Sequence, residues 1–200
     1  MKLKTKSLNN KNVALFGGTF NPIHSGHILT ALDVLEKTDY DVVVFIPTSI
    51  PIHKETTELI DPYRRLDMVN IAVKGVDRFL SSDVEIKKGG FSRTIDTVEY
   101  FKNTFPDIKK IGVVFGDDLL DGLNTWKGID KLEEITELLC LTRNITDTPK
   151  SNYKITFLKN RVIELSSSEI RNRVKLGLKI NCMVPEKVIK YIYKNSLYKG

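Results

Sequence analysis

VALFGGTFNPIHSGHI, residues 13–28, is the stretch on which the rest of the chain depends. It opens with an apolar run, Val13-Ala14-Leu15-Phe16, short enough to be a buried strand. Gly17 and Gly18 follow, then Thr19, Phe20 and the turn pair Asn21-Pro22. His24 and His27 come next, and a helical pattern starts at Gly26 with Ile28, Ala31, Leu32 and Leu35 on one face. The segment therefore reads strand, glycine-rich loop, helix, with two imidazoles at the helix start. Helix N-termini carry unpaired N–H groups and the positive end of the dipole, which suits a bound phosphate. Glycine lets the backbone approach a ligand without a Cβ in the way. The dinucleotide fingerprint G-x-G-x-x-G is absent, and no Gly-Lys-Ser/Thr follows as in a Walker loop. The His pair supplies N–H donors that can hold the oxygens of a transferring phosphoryl group without acting as nucleophiles.

Two hundred residues fit one domain with an adequate core. The net charge of +6 and pI near 9.2 could suit nucleic acid, but the lysines are spread along the chain, with no aromatic-plus-basic stripe. Neither a nucleic-acid partner nor a membrane is expected, since no apolar run reaches spanning length. Cys140 and Cys182 give no metal spacing and no disulfide framework, so no protein metal site is expected and a reducing cytoplasm fits. Residues 1–11 read as a flexible N-terminal extension and 12–200 as a single domain with C-terminal helices from about 166.

Along the chain, 41–47 is a strand buried on both faces, as in a parallel sheet. Asp61 and Pro62 start a helix as N-cap and first residue, with Leu66, Val69, Ile71, Ala72 and Val73 inward and Gly75 at its end. Val84-Glu85-Ile86 is a short strand candidate, and 94–105 a helix. Residues 111–115 form another buried strand, followed at once by Gly116-Asp117-Asp118. Short helices over 118–123 and 128–138 precede strands at 138–142, 153–158 and 161–165. Ser166 to Glu169 is a capping box opening a helix, and 185–195 is a last amphipathic helix. Alternating strands and helices predict a three-layer α/β fold with a mainly parallel sheet. Ligands bind beyond the C-terminal ends of such strands, where Gly17 to His27, Thr48 to Lys54, Gly116 to Asp118 and Ser166 to Arg171 all fall.

GGTFNPIHSGH resembles the signature of nucleotidyltransferases with a (T/H)-x-G-H motif on a Rossmann-like fold. Its Gly-Gly-x-Phe-Asn-Pro form is similar to the nicotinate/nicotinamide mononucleotide adenylyltransferase branch. Four further stretches agree in order and spacing. Pro51-Ile52-His53-Lys54 resembles the family's Pro-Pro-His-Lys, with Ile52 for the second proline. Ser92-Arg93-Thr94-Ile95-Asp96-Thr97 with Trp126 resembles the acceptor motif, with Arg93 and Lys127 where aromatics are common. Gly116-Asp117-Asp118 resembles Gly-x-Asp. Leu165-Ser166-Ser167-Ser168-Glu169-Ile170-Arg171 resembles Ile-Ser-Ser-Thr-x-Ile-Arg, with Ser168 keeping the hydroxyl. Arg65-x-x-Met68 and the closing Leu197-Tyr198 also echo the family.

The resemblance implies adenylyl transfer from ATP to nicotinate mononucleotide, giving deamido-NAD and pyrophosphate. It implies catalytic roles for His24, His27, Lys54 and Arg171. ATP would lie on Gly17, Gly18, Thr19, Phe20, His24, His27, Gly116, Asp118, Ser167, Ser168 and Arg171. The acceptor would meet Asn21, Thr94, Trp126 and Lys127. Mg²⁺ would be held mainly by the ATP phosphates. The sequence is compatible with a homo-oligomer. It leaves open nicotinamide mononucleotide or phosphopantetheine as acceptor, and a non-catalytic nucleotide-binding module.

Overall fold

The first strand, β1 (Asn12–Gly18), is buried continuously from Val13 to Phe16, because successive side chains point to opposite faces and both faces are covered. Ala14 and Phe16 pack into one apolar cluster, Val13 and Leu15 into another. The chain is described by a computed structural model covering residues 8–51, 58–142, 151–161 and 163–199. Among the described residues six strands form one sheet in the order β3-β2-β1-β4-β5-β6, with every pairing parallel. The other strands are β2 (Val42–Pro47), β3 (Phe79–Ser81), β4 (Lys110–Gly116), β5 (Glu137–Thr142) and β6 (Ile155–Lys159). β2 is buried at every residue, as a central parallel strand must be.

Helices cover both faces. α1 (Ser25–Lys37), α2 (Pro62–Val73), α6 (Ser167–Lys175) and α7 (Glu186–Lys194) close over Ala14, Phe16, Val43 and Phe45. α3 (Val84–Lys88), α4 (Thr94–Thr104) and α5 (Ile129–Ile135) close over Val13, Leu15, Val44 and Val113. This is the Rossmann-like three-layer α/β arrangement. The strand order reverses between β1 and β4, so a crevice opens beyond their C-terminal ends, where Gly17-Gly18 and Gly116 lie.

Asp61 caps α2 as expected, accepting from the N–H groups of Tyr63 and Arg64. Three readings are corrected. Val84-Glu85-Ile86 is helical, not a strand. The place beside β2 belongs to Phe79–Ser81, and Lys87 pairs back to Asp83 at 2.7 Å across one helical turn. Residues 161–165 are not a strand among the described residues. The chain leaves the sheet after Asn160, and the Arg161 N–H turns to Asp33 Oδ2 at 2.9 Å. On α2 the residue facing fully inward is Arg65 rather than Leu66, which is only half-buried. The described part of the 1–11 extension is also packed: Leu8 is buried in the α4 and β4 cluster, and the Asn10 N–H donates to the Asp107 carbonyl.

Candidate active site

A cavity of about 1220 Å³ sits at the crevice between the ends of β1 and β4. Gly17, Gly18, Thr19, Phe20, Asn21, His24, His27, Thr94, Gly116, Asp118, Trp126, Lys127, Ser167, Ser168 and Arg171 all line it. Residues from five stretches of sequence are thus brought to one space. Lys54 lies outside the described residues, as do Ile52 and His53.

The glycine loop is shaped by its own aromatic. Phe20 is buried at φ 47° and packs edge-on against Phe16 and His27, with ring centroids 5.8 and 5.0 Å away. A Cβ on Gly18 would sit 2.8 Å from the Phe20 ring, so this glycine makes room for Phe20. A Cβ on Gly17 would meet no protein atom within 4 Å, so this glycine faces the cavity and permits close approach of a ligand. Phe20, expected against ATP, lines the cavity, and its side chain packs in the core beneath the loop.

His24 ends the loop as the N-cap of α1, and its ring stacks on that of His27 at 3.7 Å. Gly26 keeps this stack possible, since a Cβ there would come within 3.0 Å of the His24 ring. The His24 N–H donates to His27 Nδ1 at 3.2 Å. In the neutral ring this bond assigns the proton to Nε2, leaving an N–H donor on the far side.

Opposite stands the N-terminus of α6. Ser166 Oγ caps it by accepting from the Glu169 N–H at 3.1 Å. Ser167 Oγ donates to the Pro22 carbonyl at 2.8 Å, tying α6 to the His loop. Arg171 donates through Nη1 to the Asn21 carbonyl at 3.1 Å and through Nη2 to Ser168 Oγ at 3.3 Å. Its Nε and Nη2 also hold Glu58 Oε2 at 3.0 and 2.8 Å. Asn21, expected at the acceptor, has its amide committed within the protein. Its Nδ2 donates to the Glu58 carbonyl at 2.9 Å, and its Oδ1 accepts from Tyr198 at 2.9 Å. The closing Leu197-Tyr198 of the chain thereby buttresses the His loop.

At the β4 end, Gly116 lets the chain fold back so that the Asp118 carboxylate lies over it; a Cβ there would collide with Asp118 Oδ1. Farther along, Trp126 packs edge-on against Phe115 at 5.7 Å and is half-buried, with Lys127 exposed beside it. Thr94 begins α4 across from them. No group of three His, Cys, Asp or Glu side chains is placed to hold a metal ion among the described residues.

The strand, glycine loop and histidine-bearing helix, facing a second helix N-terminus across the switch point, continue into the wider pattern of the sequence. The model of the cytidylyltransferase-like family matches residues 15–173. The chain belongs to the cytidylyltransferase-like family, in its nicotinate-nucleotide adenylyltransferase branch. This family member is 37% identical over 186 residues to a "Probable nicotinate-nucleotide adenylyltransferase" of Borrelia garinii subsp. bavariensis, covering 93% of this chain and 94% of the relative. A protein of the same name from Clostridium beijerinckii is 38% identical over 203 residues, covering 94% of this chain and all of the relative. Among solved structures, the nicotinic acid mononucleotide adenylyltransferase of Plasmodium falciparum complexed with NaAD superposes with a TM-score of 0.74 at 21% identity, covering 94% and 97% of the two chains. That likeness concerns the fold.

Two residues, one lining the cavity and one behind it, are not legible as site residues. Glu85 lines the cavity from α3, where the sequence pattern suggests a strand. Arg65 lies behind it, fully buried, donating to the carbonyls of Thr19 and Ser49 at 2.7 and 2.9 Å. The signal for Arg65 was available: it falls three and four residues before Met68 and Val69, on the apolar stripe of α2, where a solvated arginine would not stand.

Proposed function

We propose that this chain transfers the adenylyl group of ATP to nicotinate mononucleotide, giving nicotinate adenine dinucleotide and pyrophosphate in NAD biosynthesis. The observation that carries the reading is a single cavity. It runs from two stacked histidines and an arginine at one end to an aromatic ring flanked by cations at the other. A triphosphate has donors at the first end, and an anionic pyridine nucleotide has a stacking face and positive charge at the second. The names of the Borrelia and Clostridium relatives support the same reaction.

The acceptor phosphate attacks the α-phosphorus in line, and pyrophosphate leaves. An anionic oxygen nucleophile needs no strong general base, so the protein's task is positioning and charge stabilisation. His27 donates from Nε2 to the α-phosphate as charge develops there, and His24 supports it through their stack. Arg171 forks onto the leaving pyrophosphate, aided by Ser168 and the first N–H groups of α6. Ser167 contributes its N–H, its hydroxyl being bonded to Pro22. Lys54, which follows β2 in sequence, adds charge. Gly17 admits the nucleotide close to the backbone, and Asp118 accepts from the ribose. Trp126 stacks on the pyridine. Thr94 and Lys127 present N–H groups to its carboxylate, with Arg93 adding charge. With no metal-holding group of His, Cys, Asp or Glu among the described residues, a Mg²⁺ ion would take most of its ligands from phosphate and water and would neutralise triphosphate charge beside Asp118 and Ser168. A cytoplasmic setting agrees with Cys140 as a buried thiol.

Mass analysis of the product of ATP and nicotinate mononucleotide tests this directly. A dinucleotide formed with equimolar pyrophosphate supports the reading, and an unchanged acceptor refutes it.

A further inference from the structure

Arg65 and Glu85 are two buried ionisable side chains for which the reaction has no step. Arg65 is 0% exposed, and burial lowers the proton affinity of its guanidinium. Its planar fork is spent on three carbonyls: Nε on Ile60 at 3.2 Å, Nη1 on Thr19 at 2.7 Å and Nη2 on Ser49 at 2.9 Å. Thr19 belongs to the glycine loop and Ser49 to the segment after β2. A lysine could not reach all three.

The chain of bonds continues from Ser49. Its N–H donates to Ser92 Oγ at 2.9 Å, and the Ser92 side chain lies near enough to the Glu85 carboxyl to draw its proton affinity down. Glu85 Oε1 accepts from Thr97 Oγ1 at 2.7 Å. The Ser92 N–H meanwhile donates to the Ile50 carbonyl at 3.2 Å, holding the two segments side by side. Glu85 is 8% exposed, and its Oε2 is buried with no hydrogen-bond partner among the described residues. Burial raises its carboxyl above the usual carboxylate range, against the pull of Ser92, Thr97 and the Lys88 charge, and Asp96 adds to the rise. A partly unsatisfied buried carboxylate is an expensive feature to keep. Ser92 and Thr97 flank Thr94, the residue assigned to the acceptor.

We propose that Arg65 and Glu85 are positioning residues: the path Thr19–Arg65–Ser49–Ser92–Glu85–Thr97 fixes the acceptor loop, residues 92–94, against the phosphate loop. This rests on the acceptor reading given above. Two substrates that react in line need their subsites held at one spacing, and a misplacement of about 1 Å can reduce rate on the order of 10²-fold. Glu85 suits this task because its Oε1 accepts from the Thr97 hydroxyl and its carboxyl faces Ser92 as well. It makes both hydroxyls point inward, leaving backbone N–H groups and the cations Arg93 and Lys127 to face the ligand.

The test compares Glu85→Gln, Ser92→Ala and their double variant in the full chain. Two readouts are taken: steady-state KM for each substrate, and amide hydrogen exchange over residues 88–97 without ligand. Glutamine keeps the shape but offers one acceptor oxygen in place of two. Glu85→Gln is expected to raise the acceptor KM about tenfold, with the ATP KM changed less than about twofold. It is also expected to speed exchange over 88–97. The double variant is expected to match the worse single variant, because both cut the same path. Arg65→Lys is expected to raise both KM values. An unchanged exchange pattern and acceptor KM in Glu85→Gln overturns the proposal. So does a proportional fall in activity with a smaller folded fraction and unaltered KM values, which would mark a merely structural role. If nicotinate mononucleotide proves not to be the acceptor, the exchange readout still decides whether Glu85 holds the loop.

Discussion

Arg171 grips the Glu58 carboxylate through two guanidinium nitrogens, at 3.0 and 2.8 Å, inside the cavity assigned to the triphosphate. The guanidinium holds the Glu58 carboxyl below its usual range. Glu58 therefore stands where a phosphate oxygen is proposed to bind. The pair is solvent-exposed on the Glu58 side, so a polyanion that brings several charges displaces it readily. Glu58→Gln is expected to lower the ATP KM by about two- to fivefold, the scale of an exposed ion pair. Arg171→Ala is expected to raise it by more than tenfold, about the loss of one charge-assisted hydrogen bond. Steady-state kinetics at fixed ionic strength checks both, and a higher ATP KM in Glu58→Gln would remove the competition.

His27 carries the second prediction. Its Nδ1 accepts from the His24 N–H, so the neutral ring carries its proton on Nε2. His27→Ala is expected to lower kcat by about 10²–10³-fold with a much smaller change in the ATP KM, as when one preorganised donor to a transition-state oxygen is lost. Single-turnover rates measure this, and an unaltered kcat would take His27 out of the chemistry.

Gly18→Ala tests the packing under the loop. The new methyl would lie 2.8 Å from the Phe20 ring, which is itself wedged between Phe16 and His27. Overpacking of this kind costs about 1–3 kcal/mol. A lowered Tm together with a lowered kcat is expected, since Phe20 supports the His27 ring. Gly17→Ala, with open space before it, is expected to keep the Tm and raise the ATP KM. Thermal denaturation alongside kinetics separates the two glycines.

The strand–loop–helix at 13–28 and the parallel sheet were legible because their signals are local. An apolar run buried on both faces has few alternatives, and Asp61-Pro62 announces a helix start by its own chemistry. Val84-Glu85-Ile86 misled because alternation over three residues fits a strand and a single helical turn alike. Only the pairing of Phe79 with Val43 decides between them. The site was readable where side chains or glycines face the cavity. Asn21 and Phe20 were harder, because a loop residue can serve a site through its backbone while its side chain is spent inward. No local pattern announces that Tyr198 will bond Asn21, as the two are joined only by the fold.

Thiol chemistry offers an independent check on the core. Burial pushes the Cys140 thiol up to about 12, and it is fully enclosed in β5, whereas Cys182 is exposed. Thiolate is the reacting species, so at pH 8 a maleimide or iodoacetamide is expected to label one cysteine per folded chain, at Cys182. Peptide mapping after labelling reads this out. Equal labelling of Cys140 without denaturant would contradict the burial of β5.

Initial rates of pyrophosphate release should be compared with nicotinate and nicotinamide mononucleotide at equal concentration, with ATP and Mg²⁺. This tests the central assignment most directly. Release with a strong preference for the nicotinate form is expected, because Arg93 and Lys127 line the acceptor end and favour a carboxylate over an amide. Equal or reversed preference would keep the adenylyl chemistry and contradict the acceptor assignment of Thr94, Trp126 and Lys127. No release with either nucleotide would contradict the proposed reaction itself.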